Sequence, residues 1–255
     1  MQCQKTAVND YILPIPEKHV GYDQPSLSVL SCYSCNIRGT CLAEKLSITS
    51  NHSCRLVKNR KVFTKGQHIF RGGDETKAIY IVSSGSIKSY VVMENGEEQV
   101  LGFYLAGDVI GLDAMGSQQH RSSSIALETV TVCKLSLAEL YARTLGKGFL
   151  DMVSDNLLRE HNLMMMLARK DADGRLASFL IDLSKRAEKH GHPVDVIKLT
   201  MTRQDVANYL GLAIETVSRV LRRFQNSGML KVNRRQITIY DYEGMGLTAG
   251  VQVTN

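Results

Sequence analysis

Six cysteines stand in the chain, and three of them crowd together as Cys32, Cys35 and Cys41 in the stretch SCYSCNIRGTC, with Cys133 far downstream and Cys3 and Cys54 apart. Thiolates at C-x2-C-x5-C spacing can serve several chemistries. An iron–sulfur cluster tolerates three grouped thiolates and one distant ligand. Structural zinc also takes four cysteines, but usually as two tight pairs, and here only one pair is tight. A thiol–disulfide switch needs two, and Cys32 with Cys35 would serve. Spacing favours the cluster over zinc, and unrelated free thiols are the poorest account of the grouping.

A second set of chemistry-bearing residues lies in TRQDVANYLGLAIETVSRVLRRFQN, residues 202–226. Glu215, Ser218, Arg219 and Arg222 recur at helical spacing on one face, while Val217, Leu221 and Phe224 form the opposite, apolar face. Arginine forks onto guanine, glutamate accepts from a cytosine amino group, and serine contacts a base or a phosphate. A solvated charged face is the plainer account. Cap, turn and both faces together favour DNA reading. Thr202 and Arg203 at the start of the first helix, and Thr216 in the second, complete the residues expected on DNA.

These residues need elements to position them. Thr202 with Asp205 three positions on forms a capping box, and Gly211 supplies the turn between two helices. Downstream, two strands around Asn233-Arg234-Arg235 make a wing with a basic tip, suited to phosphate. Upstream, residues from about 60 to 135 alternate in short runs with turn signals, which predicts an antiparallel roll or barrel. Within it Ile79–Val82, Ile87–Met93, Gln99–Leu105, a piece near Val109 and Ala126–Leu135 read as strands. Asn95-Gly96 predicts a two-residue type I′ hairpin. Between roll and helix pair, Leu137 to Lys170 reads as helical, broken near Gly146 and Gly148. Its second part places Phe149, Val153, Asn156, Glu160, Leu163 and Leu167 at alternating four- and three-residue steps, a seam suited to pairing with a second copy. The helix could instead pack on its own roll. A further helix starts at Asp171 and ends near Gly191, and residues from Gly244 onward carry little signal.

Residues 1–31 are polar and broken by Pro14, Pro16 and Pro25, so they read as a loose tail. The expected divisions are therefore 1–31 tail, 32–145 cysteine segment and roll, 146–170 pairing helix, and 171–255 winged helix-turn-helix. The fold class is α+β. Net charge is +6, yet residues 169–235 carry 14 Lys/Arg against 7 Asp/Glu, a local +7, so the remainder nets −1. A basic excess confined to the helix pair points to DNA and not to a membrane. No apolar run approaches the ~20 residues of a membrane span, and the start MQCQKTAVND lacks a signal-peptide core. A cytoplasmic protein is expected. No P-loop, Ser-His-Asp grouping or paired-carboxylate motif is present, so an enzyme is not expected.

Taken together, the chain resembles the fumarate and nitrate reduction regulator (FNR) branch of the CRP/FNR superfamily of bacterial transcription factors. The carriers are Cys32-x2-Cys35-x5-Cys41, GDVIGLDAMGS (residues 107–117), ALETVTVC (126–133) and NYLGLAIETVSR (208–219). The resemblance implies a cyclic-nucleotide-binding-like roll as sensor domain, followed by a dimerisation helix. It also implies a homodimeric oxygen sensor with a [4Fe–4S] cluster on Cys32, Cys35, Cys41 and Cys133. Glu215, Ser218 and Arg219 would read palindromic TTGAT-type sites, and the Glu94–Glu98 hairpin would touch RNA polymerase. The sibling branch binds cyclic AMP, with a glutamate after the glycine matching Gly111 and an Arg-Ser/Thr-Ala later. Here Leu112 follows Gly111, and Arg121 precedes Ser122-Ser123, which disfavours a cyclic nucleotide. Two Glu160 carboxylates facing across a dimer axis would repel, so the seam is expected to be weak and to be tipped by the cluster.

Overall fold

The computed structural model describes Cys35, Ile37, Cys41, Leu42 and residues 57–141, 147–169, 171–191 and 193–250. The expected tail at 1–31, along with Cys32, Cys54 and His52, lies outside the described residues.

Eight strands form the roll: β1 (Val57–Phe63), β2 (His68–Phe70), β3 (Ala78–Ser84), β4 (Ile87–Val92), β5 (Glu98–Tyr104), β6 (Val109–Ile110), β7 (Ser123–Ala126) and β8 (Val130–Ser136). They pair into two antiparallel four-stranded sheets, ordered β1-β8-β3-β6 and β2-β7-β4-β5. The space between the sheets is filled by Phe70, Val82, Ile87, Ile110, Ala126, Val130 and Val132.

Strand alternation sends the other side chains of β3 and β8 outward. Ile79, Ile81, Cys133 and Leu135 meet a second apolar cluster with Ile37, Leu42, Leu137, Leu140 and Phe149. The first sheet is therefore covered on both faces, which suits its valine- and isoleucine-rich strands.

The single strand expected over Ala126–Leu135 is two. Leu127–Thr129 turn the chain, so that β7 lies in one sheet and β8 in the other. The hairpin also differs from expectation. Gly96 N–H donates to Met93 O at 2.8 Å, Met93 N–H to Glu97 O at 2.8 Å, and only Gly96 has positive φ, at 82°. Asn95 stays out of the left-handed region because its Oδ1 accepts from Glu97 N–H at 3.0 Å. The result is a three-residue loop ending in a left-handed glycine.

A short helix α1 (Leu137–Tyr141) leaves the roll, followed by α2 (Lys147–Arg169), which runs through Gly148 without interruption. Then come α3 (Ala172–Glu188), β9 (Val196–Lys198), α4 (Arg203–Leu210), α5 (Ile214–Asn226), β10 (Leu230–Asn233), β11 (Gln236–Ile239) and α6 (Tyr242–Ala249). Asp171 caps α3, its carboxylate accepting from Gly174 N–H. The last three strands form a sheet ordered β10-β11-β9. The third cluster joins Leu176, Leu180, Leu210, Val220, Leu230, Ile237 and Met245 to Val100 and Phe103 of the roll.

Candidate sensor pocket and nucleic-acid interface

The cysteine segment docks where β8 passes into the long helix. Cys133 pairs with Arg60 of β1 on one side and Ile81 of β3 on the other, so the backbone carrying its thiol is held from both flanks. Its side chain is buried, 3% exposed. Cys35 and Cys41, half-buried, pack against the same apolar cluster, anchored by the fully buried Ile37 and Leu42 beside them. Cys35 Sγ lies 3.6 Å from Ser83 Oγ on β3. Phe149, Met152 and Val153 from the first two turns of α2 close the cluster from the other side. Three of the four expected sulfur ligands thus share one apolar wall, and that wall includes the start of α2. Soft thiolate donors shielded by aliphatic side chains suit an iron–sulfur group, but among the described residues no three metal-ligating side chains converge as a metal site.

Of the six residues expected to form the pairing seam, four pack on their own chain, Asn156 is half-buried and Glu160 is exposed. Phe149 is buried and Val153 half-buried on the roll, while Leu163 and Leu167 pack against the third cluster. Asn156 donates to Met152 O at 2.9 Å. Asn156, Glu160 and Leu163 line a crevice with Tyr104, Arg159, Arg186 and Tyr209, and Glu160 is exposed at its edge. The apolar stripe left uncovered is Leu150, Leu157, Leu158, Met164 and Met165, each more than half exposed. It lies about 100°, one residue, around the helix from the expected seam. Two apolar stripes therefore share this helix, the inner one read from spacing and the outer one seen in the exposures.

The helix pair follows the expected local chemistry. Thr202 Oγ1 accepts from Asp205 N–H at 3.0 Å, and Asp205 Oδ2 accepts from Thr202 N–H at 3.0 Å, a complete capping box. Gly211 ends α4 in the left-handed conformation at φ 61°, and Leu212 N–H reaches back to Ala207 O at 2.9 Å. On α5, Val217, Val220, Leu221 and Phe224 are buried. Glu215, Arg219 and Arg222 are exposed, with Thr216 and Ser218 half-exposed between them. Arg203 donates to Ser218 Oγ at 3.3 Å and Arg219 to Thr216 Oγ1 at 3.2 Å, so the ends of α4 and α5 form one polar surface. Arg223, beside them, is engaged elsewhere by Asp173. The wing pairs Asn233 with Gln236, leaving Arg234 and Arg235 at its tip with Arg234 at φ 55°.

Sequence reasoning missed β9 and α6. The signals for α6 were present in Asp241, which accepts from Gly244 N–H at 2.7 Å, and in Gly250 at φ 64°. Met245 and Ala249 of this helix are wholly buried.

A roll of this kind joined through a long helix to a winged helix-turn-helix defines a DNA-binding transcription regulator. Residues 60–143 match the cyclic nucleotide-binding domain family and residues 174–246 the Crp-like helix-turn-helix domain. The chain is 39% identical over 243 residues to the fumarate and nitrate reduction regulatory protein of Salmonella typhi, covering 92% of this chain and 97% of that one. It is 38% identical over the same shares to the protein of that name from Escherichia coli strain K12. The solved structure of FixK2 from Bradyrhizobium japonicum superposes with a TM-score of 0.68 at 26% identity, covering 77% of this chain and 98% of that one. The chain belongs to the fumarate and nitrate reduction regulator family within the CRP/FNR superfamily, and it is a regulator, not an enzyme. No helix among the described residues is long and apolar enough to cross a membrane.

Proposed function

We propose that this regulator responds to oxygen through a [4Fe–4S] cluster held by Cys32, Cys35, Cys41 and Cys133. When bound, the cluster supplies an oxygen-labile group. The chain's own residues do the rest. Cys133 fixes one anchor on a central strand, Ile37 and Leu42 seat the cysteine segment, and Phe149, Met152 and Val153 connect that seat to α2. The observation that carries this reading is the shared apolar cluster of three thiols and the first turns of α2. Displacing the cysteine segment uncovers Phe149, so the state of the thiols reaches the helix through packing.

Two copies pair through Leu150, Leu157, Leu158, Met164 and Met165, because a contiguous exposed stripe of five large apolar residues on one helix is costly in water. Pairing presents two α5 helices to a palindromic TTGAT-type site, with Glu215, Ser218 and Arg219 on base edges and Thr202, Arg203, Thr216, Arg222 and the wing tip nearby. The Glu94–Glu98 hairpin is exposed and suited to RNA polymerase, and the protein works in the cytoplasm.

The test is the visible spectrum of protein purified without air, with iron and sulfide assays and DNA binding before and after oxygen. A coloured, iron- and sulfide-bearing dimer that loses colour and operator in air is expected. Colourless protein that binds the operator equally in air and without it overturns the reading, and single Cys→Ser variants identify the four ligands.

A further inference from the structure

The roll contains an anion site that the chain fills from within. Leu112–Ala114 make a single 3-10 turn, which points the Asp113 carboxylate at the segment entering β7. Asp113 Oδ2 accepts from Arg121 N–H at 2.8 Å, Ser122 N–H at 3.1 Å and Ser122 Oγ at 3.0 Å. Two consecutive amides and a hydroxyl converging on one oxygen form the kind of nest that holds phosphate and other oxyanions. The other carboxylate oxygen, Oδ1, lies 3.3 Å from His120 Nδ1.

His120 is itself fixed. It is 4% exposed, hydrogen-bonded to Thr76 Oγ1, and stacked on Phe70 with ring centroids 3.6 Å apart. Gly111, at φ 88°, lets the loop pass this ring, since a Cβ there would come within 3.2 Å of it. Burial alone would raise the Asp113 carboxyl. The hydrogen bonds from His120, Arg121 and Ser122 outweigh burial and hold it below the usual carboxylate range, so it is an anion at neutral pH. The Asp113 side chain keeps 26% exposure, so the nest opens to solvent at the point where the carboxylate enters. The Arg121 side chain is exposed beside it.

We infer that Asp113 is the roll's built-in ligand: its carboxylate occupies a nest formed by Arg121 and Ser122 that would otherwise accept the phosphate group of a soluble effector. The absent glutamate after Gly111 removes one determinant of nucleotide binding. Asp113 goes further, since it closes the phosphate position itself against any effector of that class. The inference is independent of the cysteines.

The full chain is tested as wild type and as Asp113→Ala, by thermal melting and equilibrium dialysis. The probes are inorganic phosphate and cyclic AMP, with sodium chloride at matched ionic strength as control. Asp113→Ala leaves three donors without their acceptor, so it is expected to melt several degrees lower than wild type. Millimolar phosphate or cyclic AMP is then expected to raise its melting point, with binding about tenfold or more tighter than to wild type. A response to phosphate identifies a free-anion site, and a response to cyclic AMP alone identifies an ester site. Either supports the inference. It is overturned if wild type responds as strongly as the variant, or if folded Asp113→Ala ignores both probes. Should the variant not fold alone, phosphate present during refolding is expected to recover it, and no recovery also overturns the inference.

Discussion

Asp108 sits where the roll, α2 and α3 meet, and one carboxylate serves all three. Its Oδ1 accepts from Arg159 of α2 at 3.0 Å, and its Oδ2 accepts from Arg186 of α3 and from Leu105 N–H at 2.7 Å. Arg186 also donates to Phe103 O at 2.8 Å and to Asp182 at 3.1 Å. Burial alone would raise the Asp108 carboxyl, but Arg186 first and Arg159 second outweigh it and hold the group below the usual carboxylate range. A depressed carboxyl contributes stability that is full above its unfolded pKa and is lost as pH falls through the folded one. Asp108→Asn is therefore expected to lose about 3–5 kcal/mol at neutral pH, because Arg186 is left buried with only the half-exposed Asp182 as counter-charge. Urea unfolding of wild type and variant should show that gap narrowing below about pH 4, where the wild-type group takes up its proton. A gap of constant size across the range would show that shape, not charge, is what Asp108 supplies. Nothing in the sequence marked Asp108, since its arginine partners lie 51 and 78 positions away. The Thr202–Asp205 box was legible because both partners sit in one turn. The thiols were legible as a group by spacing, but which wall they shared required the β8 register.

At the scale of the element, α2 separates two duties onto two stripes. The inner stripe, with Phe149 and Leu163, holds the helix to its own chain, and the outer one, with Leu150 and Leu157, has no cover among the described residues. Substitutions on the two stripes should therefore fail differently. Leu157→Glu, at a position 55% exposed, is expected to leave the melting point of the single chain nearly unchanged while abolishing the dimer in light scattering. Phe149→Ala should instead cost about 3–5 kcal/mol, the usual loss for a large buried side chain. It should also loosen the seat of Cys35 and Cys41, read as faster alkylation of both thiols. If Leu157→Glu still dimerises, the outer stripe is not the interface. Sequence periodicity sees apolar spacing but not which stripe the roll covers, so it does not separate the two stripes of α2. The same limit explains β7 and β8, since a turn at Leu127–Thr129 carries no glycine or proline to mark it. The capping box and wing were legible because each is set by neighbours a few residues apart, whereas the roll was legible only as a run of short strands, since β1 pairs with β8 and β2 with β7.

For the whole molecule, the question is what fixes the helix pair relative to the roll. Asn208, at the end of α4, answers with its side-chain amide. Its Oδ1 accepts from Val100 N–H at 2.6 Å and its Nδ2 donates to Glu98 O at 2.6 Å, so it extends the hydrogen bonding of β5 as another strand would. Lys88 of β4 adds ion pairs to Glu98 at 2.7 Å and to Asp205 of the capping box at 2.9 Å. Ser86 Oγ donates to Thr200 Oγ1 at 2.6 Å, and Phe103 meets Tyr209 edge-on at 5.2 Å. The reading face of α5 stays exposed in this docked arrangement. Docking therefore aims the recognition helix instead of hiding it. A single half-site needs only the face of α5 and the wing, whereas a palindrome needs two such faces held at a fixed separation. Arg219→Ala should weaken both targets alike, by about 1–3 kcal/mol, because it removes a proposed base contact. Asn208→Ala should act otherwise. It leaves the buried Val100 N–H unpaired, which costs about 1–3 kcal/mol of folding stability. It also frees the helix pair to turn on the roll, so the second half-site is met at lower effective concentration. The expected result is a palindrome affinity reduced severalfold with half-site affinity unchanged, measured by fluorescence anisotropy on the two duplexes at one salt concentration. Equal losses on both duplexes would mean that Asn208 supports the fold of α4 alone, and that the aim of the recognition helix is set elsewhere.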